Sequence, residues 1–220
     1  MIEQIKNKIA TAAQKAGKSY EDITVVCATK TRDISTIKKI KDWGFCFAGE
    51  NRVQELLSKY EKIDGISWQI VGQLQSNKVK YIADKVDMIQ SLDRQSLAKE
   101  IDRQCANIGK VMDCLVEVNI SGIEGRGGVE PCQVIDFVNQ MAQYKNIKIK
   151  GLMTVLPICD NNEVVVYCKK MKDLFEMAKQ QCKNADMAFL SMGMSDDFEV
   201  AIENGANMIR LGRILFGERN

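Results

Sequence analysis

The chain contains no histidine, so it cannot assemble a Ser-His, Cys-His or His-metal device. Any proton transfer must run through carboxylate, lysine, tyrosine, thiol or water. Against that background Lys30 draws notice. It closes the apolar run Ile23-Thr24-Val25-Val26-Cys27-Ala28-Thr29. A lysine at the mouth of such a strand is partly desolvated, which favours the neutral amine, a nucleophile toward an aldehyde. The same position also suits a lysine that snorkels its ammonium to the rim. A second group lies in Ser191-Met192-Gly193-Met194-Ser195-Asp196-Asp197. Gly193 permits close backbone approach, and Ser195 can cap the helix that follows, whose N-terminal N–H groups attract anions. Ser195, Asp196 and Asp197 also suit a plain N-cap with acids in the first turn. Arg210 lies two residues before Gly212, on the same face of a strand by alternation. It reads either as a partner for a ligand's polar atom or as half of a salt bridge to Glu50 or another strand-end acid. The glycine-rich stretch 122–128 lacks P-loop and dinucleotide spacings and reads as a flexible loop or a lid.

The elements that must position these residues follow from periodicity. Apolar, Gly-bounded runs predict strands at 23–29, 45–49, 68–72, 88–92, 114–120, 149–155, 189–194 and 208–211. Helical spacing predicts helices at 34–41, 53–60, 77–83, 94–108, 134–144, 163–181 and 197–203. Asp160 and Glu163 have capping-box spacing, and Gly205 stands where the last of these helices should stop. Strands separated by helices imply parallel pairing, because each crossover needs a dozen or more residues. The expected fold is therefore α/β: one (β/α)₈ TIM-type barrel over residues 1–220. An extra amphipathic N-terminal helix carries Ile2, Ile5 and Ile9 on one side. An open doubly wound sheet is the alternative that pattern alone leaves standing. In a barrel, working residues sit at the C-terminal strand ends, and phosphate often binds on the loops after strands seven and eight. That rule would bring Lys30, Ser195, Arg210 and Gly212 to one mouth.

Composition narrows the partners. With 31 basic and 29 acidic residues the net charge is +2, which gives no reason to expect nucleic acid or an anionic membrane. Of eight cysteines, Cys27, Cys46 and Cys114 sit in apolar strand-like runs, as small core residues do. No two cysteines have the short spacing of a structural zinc site, and no metal is expected. The first residues read as an amphipathic helix, not a signal peptide. No apolar run approaches the roughly 20 residues that span a bilayer. A reducing cytoplasm is the expected compartment.

Short motifs in order along nearly the whole chain then carry a resemblance. They are Ala28-Thr29-Lys30-Thr31, Phe47-Ala48-Gly49-Glu50-Asn51-Arg52-Val53-Gln54-Glu55, Gly72-Gln73-Leu74-Gln75-Ser76-Asn77-Lys78, Val118-Asn119-Ile120-Ser121, Gly151-Leu152-Met153-Thr154, Leu190 through Phe198, and Arg210-Leu211-Gly212-Arg213-Ile214-Leu215-Phe216-Gly217. The chain resembles the pyridoxal phosphate homeostasis proteins, relatives of the alanine racemase N-terminal barrel (fold-type III of the pyridoxal phosphate proteins). The resemblance implies that Lys30 forms a Schiff base with pyridoxal 5′-phosphate (PLP). Ser195 and the backbone N–H groups of Gly212 and Arg213 would hold the phosphate. Arg210 would face the pyridine nitrogen, with Asn51 and Met194 also beside the cofactor. This sequence departs from the family pattern at Gln69 and Gln73, where histidines are frequent, at Arg126, aligned with a frequent lysine, and at Arg213, where a small hydroxyl residue is usual.

Three functions compete. A PLP carrier would hold the cofactor reversibly, as a monomer, and hand it to apo-enzymes. A racemase of this fold type would add a C-terminal β domain and a catalytic tyrosine. The chain's end at Asn220 and its tyrosines, Tyr20, Tyr60, Tyr81, Tyr144 and Tyr167, all in or beside helices, speak against one. A barrel isomerase for a phosphorylated metabolite, with an acid such as Glu50, is the third. The combination of Lys30, Ser195 and Arg210 favours the carrier.

Overall fold

Eight short parallel strands are buried along most of their length, as expected of a sheet covered on both faces. The computed structural model describes residues 1–61 and 63–217. The strands are β1 (Thr24–Ala28), β2 (Phe47–Glu50), β3 (Ser67–Ile70), β4 (Met88–Leu92), β5 (Met112–Glu117), β6 (Ile147–Met153), β7 (Phe189–Ser191) and β8 (Met208–Leu211). They pair in sequence order, and β8 closes on β1 with Val26 opposite Arg210 and Cys27 opposite Leu211. Closure removes the open-sheet alternative. The described helices are α1 (Ile2–Lys15), α2 (Ile34–Asp42), α3 (Val53–Lys59), α4 (Gln95–Asn107), α5 (Val134–Gln140), α6 (Asn161–Gln181), α7 (Phe198–Glu203) and α8 (Arg213–Phe216).

Alternation divides the core in two. Val25 and Cys27 belong to the large apolar layer between sheet and helices, whereas Val26 joins Met88, Leu115, Met153 and Met208 inside the barrel. The extra helix α1 is real. It buries Ile5, Ile9, Ala12 and Ala13 against the body and is tied to α7 by Lys8–Glu199 and Lys15–Glu203. Asp160 caps α6 by accepting from the N–H groups of Asn162 and Glu163. Among the described residues no helix is long and apolar enough to cross a membrane.

Three local expectations need correction. The segment at 77–83 is a 3₁₀ turn, Ser76–Tyr81, because a stretch this short gains more from i→i+3 bonds than from nucleating an α-helix. The helix expected at 134–144 ends at Gln140 and tightens into a second 3₁₀ turn, Met141–Gln143. Cys46 is exposed just before β2; Cys27 and Cys114 are buried, as expected.

Candidate functional site

Strand β1 stops at Ala28, two residues short of Lys30. The lysine therefore stands on a turn and not on the strand itself. The Arg32 N–H donates to the Thr29 carbonyl at 3.0 Å and closes this turn. Thr31 has φ of 64° and is the one non-glycine residue with positive φ among the described residues. Turns of this kind ordinarily place glycine there, and a β-branched residue in that region is strained by about 1–3 kcal/mol. The strain is held from below. The Thr31 N–H donates to Glu55, and the Thr29 hydroxyl donates to the fully buried Glu50. Lys59 bonds both carboxylates. Burial pushes the Glu50 carboxyl up, against the pull of Thr29 and Lys59. At Glu55 burial pushes upward too, but the Thr31 N–H and Lys59 outweigh it and leave that carboxyl below its ordinary range.

Lys30 opens onto a cavity of about 460 Å³ at the mouth formed by the ends of β1, β7 and β8. That volume falls within the range of small-molecule sites. Met194, Ser195, Asp196, Arg210, Gly212 and Arg213 share its lining. Ser195 does not cap α7. Its hydroxyl accepts the N–H of Ile214 at 3.2 Å, so the loop after β7 is stitched to the first turn of α8. Asp197 instead accepts from the Met194 N–H. Gly193, with φ of 97°, brings its backbone against α7: a Cβ there would lie 2.7 Å from the Cβ of Ala201. A Cβ at Gly212 would lie 3.4 Å from the Cβ and the carbonyl oxygen of Ala28, so the backbone runs close along the end of β1. Arg213 pairs with Asp196 across the rim.

Arg210 points inward and is buried. Its guanidinium donates to the Ser191 hydroxyl and to the Thr154 carbonyl, each at 2.7 Å. Ser191 donates onward to the Gln90 side chain at 2.8 Å, and Gln90 to that of Gln69 at 2.6 Å. A polar chain thus crosses the barrel interior from β8 to β3. Burial lowers the Arg210 pKa to about 10 against the pull of Glu117 and Asp197, which leaves the group a cation at neutral pH. Glu117, on β5, is pushed up to about 7 by burial and by Asp93, while Arg210 and Arg126 pull it back. One of its carboxylate oxygens is buried without a hydrogen-bond partner. The expected alternative partner for Arg210, Glu50, lies on the other face of the sheet with Lys59, because it shares the parity of Ala48.

The comparisons with known proteins agree along the whole chain. The family model described as "Alanine racemase, N-terminal domain" matches residues 2–220. A protein of Aquifex aeolicus called "Pyridoxal phosphate homeostasis protein" is 40% identical over 221 residues, covering 99% of this chain and 96% of that one. The chain belongs to the pyridoxal phosphate homeostasis protein family. PipY of Synechococcus elongatus, solved with PLP bound, superposes with a TM-score of 0.83 at 27% identity, covering 95% of this chain and 100% of that one. The alanine racemase of Clostridium difficile shares the fold, with a TM-score of 0.74 at 17% identity over 97% of this chain and 55% of its own.

Of the site residues expected from the sequence, Lys30, Met194, Ser195, Arg210, Gly212 and Arg213 line one cavity. Asn51 follows β2 half-buried and is not part of that lining. A Cβ on Gly72 would lie 2.6 Å from the Asn51 carbonyl oxygen, so the backbone of Asn51 packs directly on the loop after β3. Arg126 reaches across to the Ser121 hydroxyl and the Leu156 carbonyl. Gln73 is exposed and packs against Gly127. Sequence reasoning missed Glu117, Gln90 and Ser191. A signal existed: each is a polar residue at an inward position of an apolar strand, and parity with Leu115, Met88 and Phe189 points to the barrel interior.

Proposed function

We propose that the protein binds PLP reversibly through a Schiff base on Lys30 and serves as a reservoir from which other proteins draw the cofactor. The observation that carries this reading is the convergence of the Lys30 amine, the Ser195 hydroxyl and the buried cation Arg210 on one cavity. When bound, PLP supplies an aldehyde that condenses with a primary amine and releases water. The residues present fit it. Lys30 offers the amine. Ser195 already accepts from Ile214, and a hydroxyl so used can still donate its hydrogen to a phosphate oxygen. Gly212 and Arg213, whose backbone N–H groups the resemblance assigns to the phosphate, lie on the lining of the same cavity. Arg213, rim-bound to Asp196, adds a positive charge at the same end. Met194, on the same lining, would flank the ring.

Arg210 would set the electronics of the ring. A permanent cation facing the ring nitrogen keeps that nitrogen unprotonated and weakens the ring as an electron sink. The site also opens to solvent beside Met194, 36% exposed, so an incoming amine from an apo-enzyme can reach the bond at Lys30 and displace it. The names of the curated relatives and the PLP-bound PipY structure support the ligand; the exchange step rests on chemistry.

Titration of the protein with PLP, followed by absorbance, tests this reading. Saturable formation of an imine band is expected, together with roughly tenfold weaker binding in Ser195→Ala, the loss of about one charge-assisted hydrogen bond. No saturable band would overturn it. Incubating the loaded protein with single-enantiomer amino acids in deuterated water separates carrier from racemase. The carrier reading expects no turnover in α-hydrogen exchange, and sustained exchange would replace it with the racemase.

A further inference from the structure

The most heavily bonded cation among the described interactions lies outside the cavity. Lys59, on α3, has a side chain only 9% exposed. Four oxygens surround its ammonium: the carbonyls of Thr29 at 2.8 Å and Arg32 at 3.1 Å, Glu50 at 2.9 Å and Glu55 at 3.0 Å. The two carbonyls bracket Lys30 and Thr31. The two carboxylates grip the same turn again, Glu50 through the Thr29 hydroxyl and Glu55 through the Thr31 N–H. These four handles on the turn thus return to one ammonium group, beside the bond of the Thr29 N–H to the Gly49 carbonyl and that of the Arg32 guanidinium to the Gly217 carbonyl. Lys59, Glu50 and Glu55 sit on the helix side of the sheet and do not line the cavity, whereas Arg32, at the end of the turn, does. A barrel needs no such clamp to close, since β1 already pairs with β2 and β8 along its length. What the clamp fixes is a turn whose left-handed Thr31 a free chain would not choose.

We infer that Lys59, with Glu50 and Glu55, is a positioning network for Lys30: it holds the turn Thr29–Arg32 in the one conformation that aims the Lys30 amine into the cavity. This rests on Lys30 being the amine that binds PLP. An amine held in line reacts far faster and more tightly than one on a mobile turn, because the orienting entropy is spent during folding. The network touches neither phosphate nor ring positions, so its loss should affect imine formation and leave non-covalent binding intact.

The test compares PLP with pyridoxine 5′-phosphate, which carries an alcohol in place of the aldehyde, on the full-length protein. For Lys59→Met and Glu55→Gln, PLP affinity measured by the imine band should fall about tenfold or more, while pyridoxine phosphate affinity stays within about twofold. Adding Thr31→Gly to either variant should restore part of the PLP affinity, because glycine takes a positive φ without being held there. If Lys59→Met fails to fold, Glu55→Gln, whose side chain is more exposed, decides alone. Equal weakening of both ligands, unchanged PLP affinity, or no rescue by Thr31→Gly would overturn the inference. A wild-type protein that forms no bond at Lys30 would sink the anchor reading and this inference together. A wild-type bond with unaffected variants would sink only the positioning role.

Discussion

Glu117 is where single-residue chemistry makes its sharpest demand. Its carboxyl is raised from 4.5 to about 7 by burial and by Asp93. Between those values the folded chain keeps a proton that the unfolded chain has released. Stability must therefore fall as pH rises from about 4.5 to about 7, by up to about 3 kcal/mol from this group alone. Glu117→Gln should flatten that part of the curve in denaturant titrations run between about pH 5 and pH 8. A variant with the wild-type slope would show that another group is responsible. Arg213 offers a second measurement: Arg213→Ser, which introduces the hydroxyl usual in the family, should weaken PLP binding severalfold at low salt and less at high salt. Equal loss at both salt concentrations would argue against a charge effect. That Lys30, Ser195 and Arg210 meet at one mouth was legible in the sequence, because each stands at or just past the end of a barrel strand. Glu117 was not, since one acid in an apolar run looks like a strand-end charge until parity with Leu115 turns it inward.

Element boundaries explain why Lys30 first reads as the end of a strand. The strands expected at 23–29, 114–120, 149–155 and 189–194 each overrun the observed ladder by one to three residues. The residues just past each ladder, such as Thr29, Val118 and Met192, are still buried, so hydropathy continues where pairing stops. The loop after β7 shows the same economy. Gly193 must accept a positive φ and lie against Ala201 for Met194 and Ser195 to reach the cavity. Gly193→Ala is expected to cost about 1–3 kcal/mol, a fall in melting temperature of several degrees for a chain of this size, together with weaker PLP binding. A melting temperature unchanged within a degree or so would mean that the loop relaxes freely. The expected Ser195 cap on α7 failed because the hydroxyl has a better use on Ile214, a contact between a loop and α8 that no local pattern announces.

The barrel as a whole was legible from eight strands separated by helices, although the register shift between β5 and β6 at Cys114 and Leu115 was not. Such a shift depends on how Gly151 packs against β7, information held in neither strand alone. The interior polar chain from Arg210 through Ser191 and Gln90 to Gln69 likewise joins four strands far apart in sequence. Gln69→Leu and Gln90→Leu should each cost about 1–3 kcal/mol, because each leaves a buried partner unsatisfied. The double variant should cost clearly less than the sum; strict additivity would mean the two side chains do not share a bond. On the proposed reading this scaffold holds one amine opposite one anion site, so the decisive measurement is made at Lys30. The PLP-loaded protein is reduced with borohydride, digested and mapped by mass. A phosphopyridoxyl group on the Lys30 peptide, absent in Lys30→Ala, is the expected result; an unmodified Lys30 peptide, or a label on another lysine in the native protein, would contradict it.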